Sequence, residues 1–170
     1  MLLPRIITLS GVDGSGKSTI AALLKDHFKK QGHSAHVAHI GAGVGGVSIS
    51  IGSLIYLKDY IQIIFQYMRS IGKYDIIIFD RFLYDTLVKI SHKQQSRLPR
   101  FFAFPIAHIA FHLRLSDKIS YTRDKEHSKE YHGKKHEFYN EVAKHFHLIP
   151  IDAERPKNMV LEEIINHLKN

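Results

Sequence analysis

The run Ser10-Gly11-Val12-Asp13-Gly14-Ser15-Gly16-Lys17-Ser18-Thr19 satisfies G-x-x-x-x-G-K-[ST] in full. Residues of these types at this spacing hold phosphate. The glycines let main-chain N–H groups turn inward, a following helix adds partial positive charge, Lys17 can reach the terminal phosphates, and Ser18 can ligate magnesium. A second constellation lies at Asp80-Arg81, where a carboxylate closes the most hydrophobic run of the chain and an arginine follows it at once. Such a carboxylate can organise magnesium and its waters beside the phosphate loop, and the arginine can clamp a phosphate of an acceptor. Phosphoryl transfer is mostly positioning and charge stabilisation, so a triphosphate cradle, a metal carboxylate, an acceptor clamp and mobile cations are the parts it needs. Arg114, Arg123 and Lys125 supply the last of these.

These residues must be positioned by a strand, a turn and a helix, and the flanking sequence provides them. Arg5 to Leu9 reads as a short buried strand, and Ile20 to Phe28 has helical spacing. Further along, Ser34 to Ile40 alternates like a strand, Gly41 to Gly46 forms a glycine loop, and a long apolar helix over about Ser53 to Ser70 closes at Gly72. Tyr74 to Asp80 is a continuous β-branched run of the kind that is buried on both faces. Helical material spans about Leu83 to His92, and a polar break and another helical piece lead to Pro105. Strand residues Ile109 to Leu115 follow, then a helix capped by Ser116 or Asp117 running to about Arg123. After a charged segment, His136 to His145 is helical. His147 to Asp152 is a fifth strand that Pro150 assigns to an edge or a ladder interruption, and Met159 to Leu168 is a last amphipathic helix. This βα alternation predicts a parallel sheet covered by helices on both faces, with ligands at the carboxyl ends of the strands.

The 170-residue chain is long enough for one domain without metal or disulfide staples. It has no cysteine, which excludes zinc ribbons, disulfide scaffolds and thiol catalysis and suits the reducing cytoplasm. The apolar stretch from Ile49 to Met68 is broken by Ser50, Lys58, Asp59, Gln62 and Gln66, so no membrane span is expected. A formal charge of +8 suits polyanionic ligands. Its densest run, Arg123 to His136, is interleaved with Asp124, Glu126 and Glu130. That pattern favours a solvated or ATP-facing lid at about 123–136 over a nucleic-acid stripe. No N-K-x-D motif is present, which argues against a GTPase.

Three blocks resemble the thymidylate kinase-like branch of the P-loop nucleoside monophosphate kinases: Gly11 to Thr19, Asp80-Arg81-Phe82, and Ile151-Asp152-Ala153 before the last helix. The resemblance implies a three-layer P-loop fold, one domain with a short lid, and magnesium-dependent transfer of the ATP γ-phosphate to a nucleoside monophosphate, dTMP first among candidates. It implies that Asp13 faces the acceptor's sugar hydroxyl, that Arg81 holds the acceptor phosphate, and that Arg123 opens the lid over adenine or phosphates. Gly14 stands where some relatives carry an arginine, so the cations here would come from Arg123 and Lys125. Phe65 and Arg69 reproduce the F-x-x-x-R spacing that reads a thymine ring, though nearer to Asp80 than in the family. The R-E-P-like segment is replaced by Ala38-His39-Ile40-Gly41-Ala42-Gly43. A kinase of another small acceptor, a nucleoside or a sugar phosphate, stays open, as does a nucleotide-dependent switch or nucleic-acid-binding ATPase.

Lesser signals complete the reading. Tyr84 is read as acceptor-binding or packed, and Asp85 as acceptor-binding or compensating a helix dipole. Arg155 follows the last strand where an adenine would lie. His132 and His136 have the i, i+4 spacing of zinc ligands, but Gly133 and the adjacent lysines argue against a formed helix there and for solvated histidines. The long apolar helix at 53–70 predicts a homodimer.

Overall fold

A computed structural model describes residues 5–40, 52–94, 107–123 and 128–169 of the chain. Its elements run β1 (Arg5–Ser10), α1 (Lys17–Lys30), β2 (Ala35–His39), α2 (Gly52–Ser70), β3 (Ile76–Asp80) and α3 (Leu83–Gln94), followed by β4 (Ile109–Arg114), α4 (Asp117–Arg123), α5 (Lys129–His145), β5 (Ile149–Asp152) and α6 (Lys157–Lys169). The strands form one parallel five-stranded sheet in the order β2-β3-β1-β4-β5. The sheet is covered by two helix groups, α1 with α6 and α3 with α2 and α5. This is the three-layer α/β arrangement that the alternation of elements predicts.

The most apolar strands take the centre. Ile6, Ile7 and Leu9 of β1 and Ile77, Ile78 and Phe79 of β3 are fully enclosed, as a parallel sheet covered on both faces requires. Pro150 sits on β5, at the sheet edge, the position that tolerates a strand residue without an N–H donor. The chain leaves β1 toward β2 and β3 on one side and later fills β4 and β5 on the other, so the order switches at β1. Ligand crevices open at the carboxyl ends of strands at such a switch. In register, Leu9 lies beside Asp80 of β3 and Ser10 beside His112 of β4, which brings the ends of three strands together under the glycine turn.

One boundary differs from the sequence reading. Helix α5 begins at Lys129 rather than near His136 and runs through Gly133. Ser128 caps it by accepting a 3.2 Å hydrogen bond from the Tyr131 N–H. Packing against α3 and α4 outweighs the ~1 kcal/mol that a mid-helix glycine costs. The polar break expected at Ser91 to Pro99 begins as the last turn of α3, which runs to Gln94; the rest of it, the glycine loop at 41–46 and Lys125 lie outside the described residues.

Candidate active site

The turn after β1 cannot carry a side chain at its first position. A Cβ on Gly11 would lie 2.5 Å from the Leu113 carbonyl oxygen, so the loop rests directly on β4. Gly16 caps α1 in the left-handed region at φ 84°, turning the chain into the helix. Lys17, the first residue of α1, is buried and folds back into the loop. Its Nζ donates to the carbonyls of Gly11 and Val12, both at 2.7 Å, and to Ser15 Oγ at 3.3 Å. Burial pulls its pKa down to about 8, opposed chiefly by the charge of Asp85.

Asp80 ends β3 beside this loop and is buried. Its Oδ2 accepts a 2.5 Å hydrogen bond from Ser18 Oγ and lies 3.0 Å from His39 Nδ1. Its Oδ1 is enclosed with no hydrogen-bond partner. A hydroxyl and a carboxylate with an open oxygen form a hard donor set that fits magnesium, which prefers oxygen ligands and keeps several waters. Among the described residues no cluster of three or more His, Asp or Glu side chains could hold a metal by itself.

Arg81 is one of two non-glycine residues in the described chain with a left-handed backbone, at φ 72°. Its N–H donates to the Leu9 carbonyl at 3.1 Å, which fixes this uncommon conformation at the end of the sheet. From there Nη2 reaches Asp13 Oδ1 at 2.6 Å, and Lys135 Nζ from α5 reaches Asp13 Oδ2 at 2.5 Å. Partial burial raises the Asp13 pKa, but the Lys135 hydrogen bond and the charges of Lys135 and Arg81 outweigh it and hold the carboxyl well below the usual range. Both cations show the reverse balance: burial lowers them, and Asp13 raises them above their ordinary values.

Asp85 ties these pieces to the core. Its carboxylate accepts from Ser10 Oγ at 2.7 Å, Tyr139 Oη at 2.8 Å, the Phe82 N–H at 2.9 Å and, more weakly, the Gly11 N–H at 3.4 Å. Three elements and the phosphate loop therefore share one buried anion. Burial, and then Asp85, pushes the Tyr139 hydroxyl well above its ordinary pKa, so it stays a donor. Asp85 sits in the first turn of α3, where its charge can also compensate the helix dipole, and the network is a further role the sequence did not reveal.

Two cavities flank the loop. One of about 230 Å³ is lined by Ser15, Gly16, Thr19, Ile20, Arg123 and Arg155, among others. The other, about 390 Å³, runs from Asp13 and Arg81 along one face of α3 past Asp85, Thr86 and Lys89 to His92, walled by Tyr131 and Lys135 of α5. Arg123 Nη1 donates to the Gly14 carbonyl at 3.1 Å, so the end of α4 touches the loop. Arg155 pairs with Asp152 at 3.5 Å and with Glu163.

Several expected residues lie elsewhere. Phe65 and Arg69 are on α2, with the Arg69 guanidinium 5.3 Å above the Phe65 ring, but neither lines the second cavity, and Phe65 is more than half exposed. Tyr84 points into the core on the other side of α3, 5.4 Å from the rings of Phe82 and Phe146, and burial pushes its pKa up to about 12. The structure therefore does not bring these three to the second cavity. His132 and His136 are not solvated: His132 is buried with Nδ1 2.8 Å from Ser120 Oγ, and His136 faces Asp117 at 3.6 Å.

Sequence reasoning missed Lys135, His39, Lys89, His92, Tyr131 and Asp59. The α3 members were findable, because Phe82, Asp85, Thr86, Lys89 and His92 recur at three- and four-residue spacing after Arg81. Nothing local marks Lys135, whose role depends on α5 folding back across α3.

No family model matches the chain. Over 96% of this chain and 96% of the relative it is 24% identical to a protein named probable thymidylate kinase 1 from Saccharolobus solfataricus. Over 48% of this chain and 46% of the relative it is 33% identical to a thymidylate kinase from Oleidesulfovibrio alaskensis. Among solved structures, deoxyadenosine kinase from M. mycoides with bound dATP superposes with a TM-score of 0.66 at 20% identity, covering 98% of this chain and all of that one. The same enzyme with dCMP and a flexible dCDP gives 0.62 at 21% identity, over 97% and 98% of the two chains.

Proposed function

We propose that this chain, a divergent relative of the thymidylate kinase-like P-loop kinases, transfers the γ-phosphate of ATP to a nucleoside monophosphate, dTMP being the first acceptor to try. The observation that carries the reading is the pair of cavities on opposite sides of one phosphate loop. One meets Gly16, Thr19, Arg123 and Arg155, and the other meets Asp13 and Arg81. A donor on the first side and an acceptor on the second would face each other across Lys17. The relatives' names support the same class.

In this mechanism the loop amides and Lys17 bind the β- and γ-phosphates, with Lys17 exchanging its carbonyl partners for phosphate oxygens. Ser18 and Asp80 would hold magnesium, which when bound neutralises charge on the phosphates. Arg81 clamps the acceptor's phosphate, Asp13 orients its sugar, and Arg123 with Lys125 offsets charge that develops on the transferring group. Arg155 and the end of β5 border the space for adenine. A lid over about 123–136, a single domain, a cytoplasmic setting and a homodimer through α2 belong to the same reading.

A second reading is favoured by the deoxyadenosine kinase neighbours: the acceptor is a nucleoside lacking phosphate. One panel separates the two. ADP release from MgATP is measured with nucleoside monophosphates, nucleosides, sugar phosphates and single-stranded DNA. Stimulation by a monophosphate supports the proposal, stimulation by nucleosides alone moves the chain to the second reading, and stimulation by DNA alone overturns both.

A further inference from the structure

Asp13 has one cation on each carboxylate oxygen, Arg81 from the end of β3 and Lys135 from the middle of α5. Two positive charges thus share a single negative one on the cavity wall. Asp85 and Asp59 are further anions on the same wall, but neither hydrogen-bonds to Arg81 or Lys135. The first is occupied by the Ser10, Tyr139 and Phe82 donors, and the second accepts from Thr86 at 2.6 Å while its other oxygen, which has no hydrogen bond, lies 3.3 Å from Lys58 Nζ. Lys135 is buried on its ion pair with Asp13 and is further held by the ring of Tyr131, 5.2 Å away, and its hydroxyl, 3.4 Å away. Its side chain is therefore positioned before any ligand arrives.

We infer that Lys135 is a second cation for the acceptor's phosphate, acting with Arg81, and that the Asp13 carboxylate stands in for that phosphate in the free protein. A phosphate presents pairs of oxygens at nearly the spacing of a carboxylate's, so it can take both donors without moving either element. As it does so, Asp13 is released from both cations and becomes free to accept a hydrogen bond from the acceptor's hydroxyl. A phosphate monoester has the paired anionic oxygens to take both cations from Asp13, whereas an uncharged nucleoside would leave the Asp13 clamp closed. Lys135 is thereby a specificity-determining residue for phosphorylated acceptors. The inference rests on the second cavity being the acceptor site.

The test is calorimetric and needs no turnover. Wild type, Lys135→Gln and Lys135→Arg, each checked for an unchanged melting profile, are titrated with the common deoxynucleoside monophosphates and with the matching nucleosides. The wild type should bind at least one monophosphate. Lys135→Gln should bind it about ten- to a hundredfold more weakly, with nucleoside and MgATP affinities unchanged, and Lys135→Arg should recover most of the loss. Equal weakening for monophosphate and nucleoside, no weakening, or no monophosphate binding by the wild type each overturns the inference. Monophosphate binding that depends on Lys135 without acceptor-stimulated ADP release would instead remove the kinase reading and leave the phosphate site standing.

Discussion

Asp85 shows how a single residue can join the sheet, two helices and the phosphate loop. Because its carboxylate satisfies buried donors from Ser10, Phe82 and Tyr139, removing it strands several of them at once in a low-dielectric interior. Asp85→Ala should lower unfolding free energy by about 3 kcal/mol or more, read as a shift in the urea midpoint; a shift below about 1 kcal/mol would show that the network is not structural. The phosphate loop was legible residue by residue, since each position has a local reason to be glycine, lysine or serine. Lys135 was not, because its partner Asp13 is 122 residues away in sequence, and the reach of Asp85 to Ser10 and Tyr139, 75 and 54 residues away, is likewise supplied only by the fold.

At the scale of elements, hydrophobic periodicity sufficed for the strands. An apolar β-branched run such as Ile76 to Phe79 has few other places to go, and a proline on a short strand selects the sheet edge. The start of α5 was not readable, because Gly133 and its charged neighbours weaken local propensity and packing against α3 decides the outcome. The same packing hides which face of α2 and α3 meets the cavity: the family likeness points Phe65 and Arg69 there, and Tyr84 takes the packed alternative. On β4, burial holds His112 neutral down to about pH 4 while it stacks 5.7 Å from Tyr139. The unfolded chain protonates this residue near pH 6.5 and so binds the extra proton between those values. Stability is lost as pH falls through that window, by up to about 3 kcal/mol from this group. Urea titrations at pH 7 and pH 4.5 should show a smaller acid loss in His112→Gln than in the wild type; equal losses would assign the acid sensitivity elsewhere.

For the whole molecule, the outer face of α2 carries Leu57, Ile61, Phe65 and Met68, each more than half exposed and spaced along one side of the helix. No helix of the described residues is long and apolar enough to cross a membrane. A second copy is the partner we expect for this stripe. Sedimentation should give twice the chain mass of 19.5 kDa, and Ile61→Asp should return it to the monomer; a wild-type monomer at all concentrations would remove the dimer. The net charge of +8 raises the local concentration of nucleotide anions around both cavities without specifying either. The proposed function requires a phosphoryl group to pass from one side of the Lys17 loop to the other. The direct measurement is to supply ATP labelled on its γ-phosphate with magnesium and a mixture of nucleoside monophosphates, then separate the products. Label should appear in a nucleoside diphosphate, roughly a hundred- to a thousandfold faster with wild type than with Lys17→Ala. Label found only in unreacted ATP or in inorganic phosphate would contradict it.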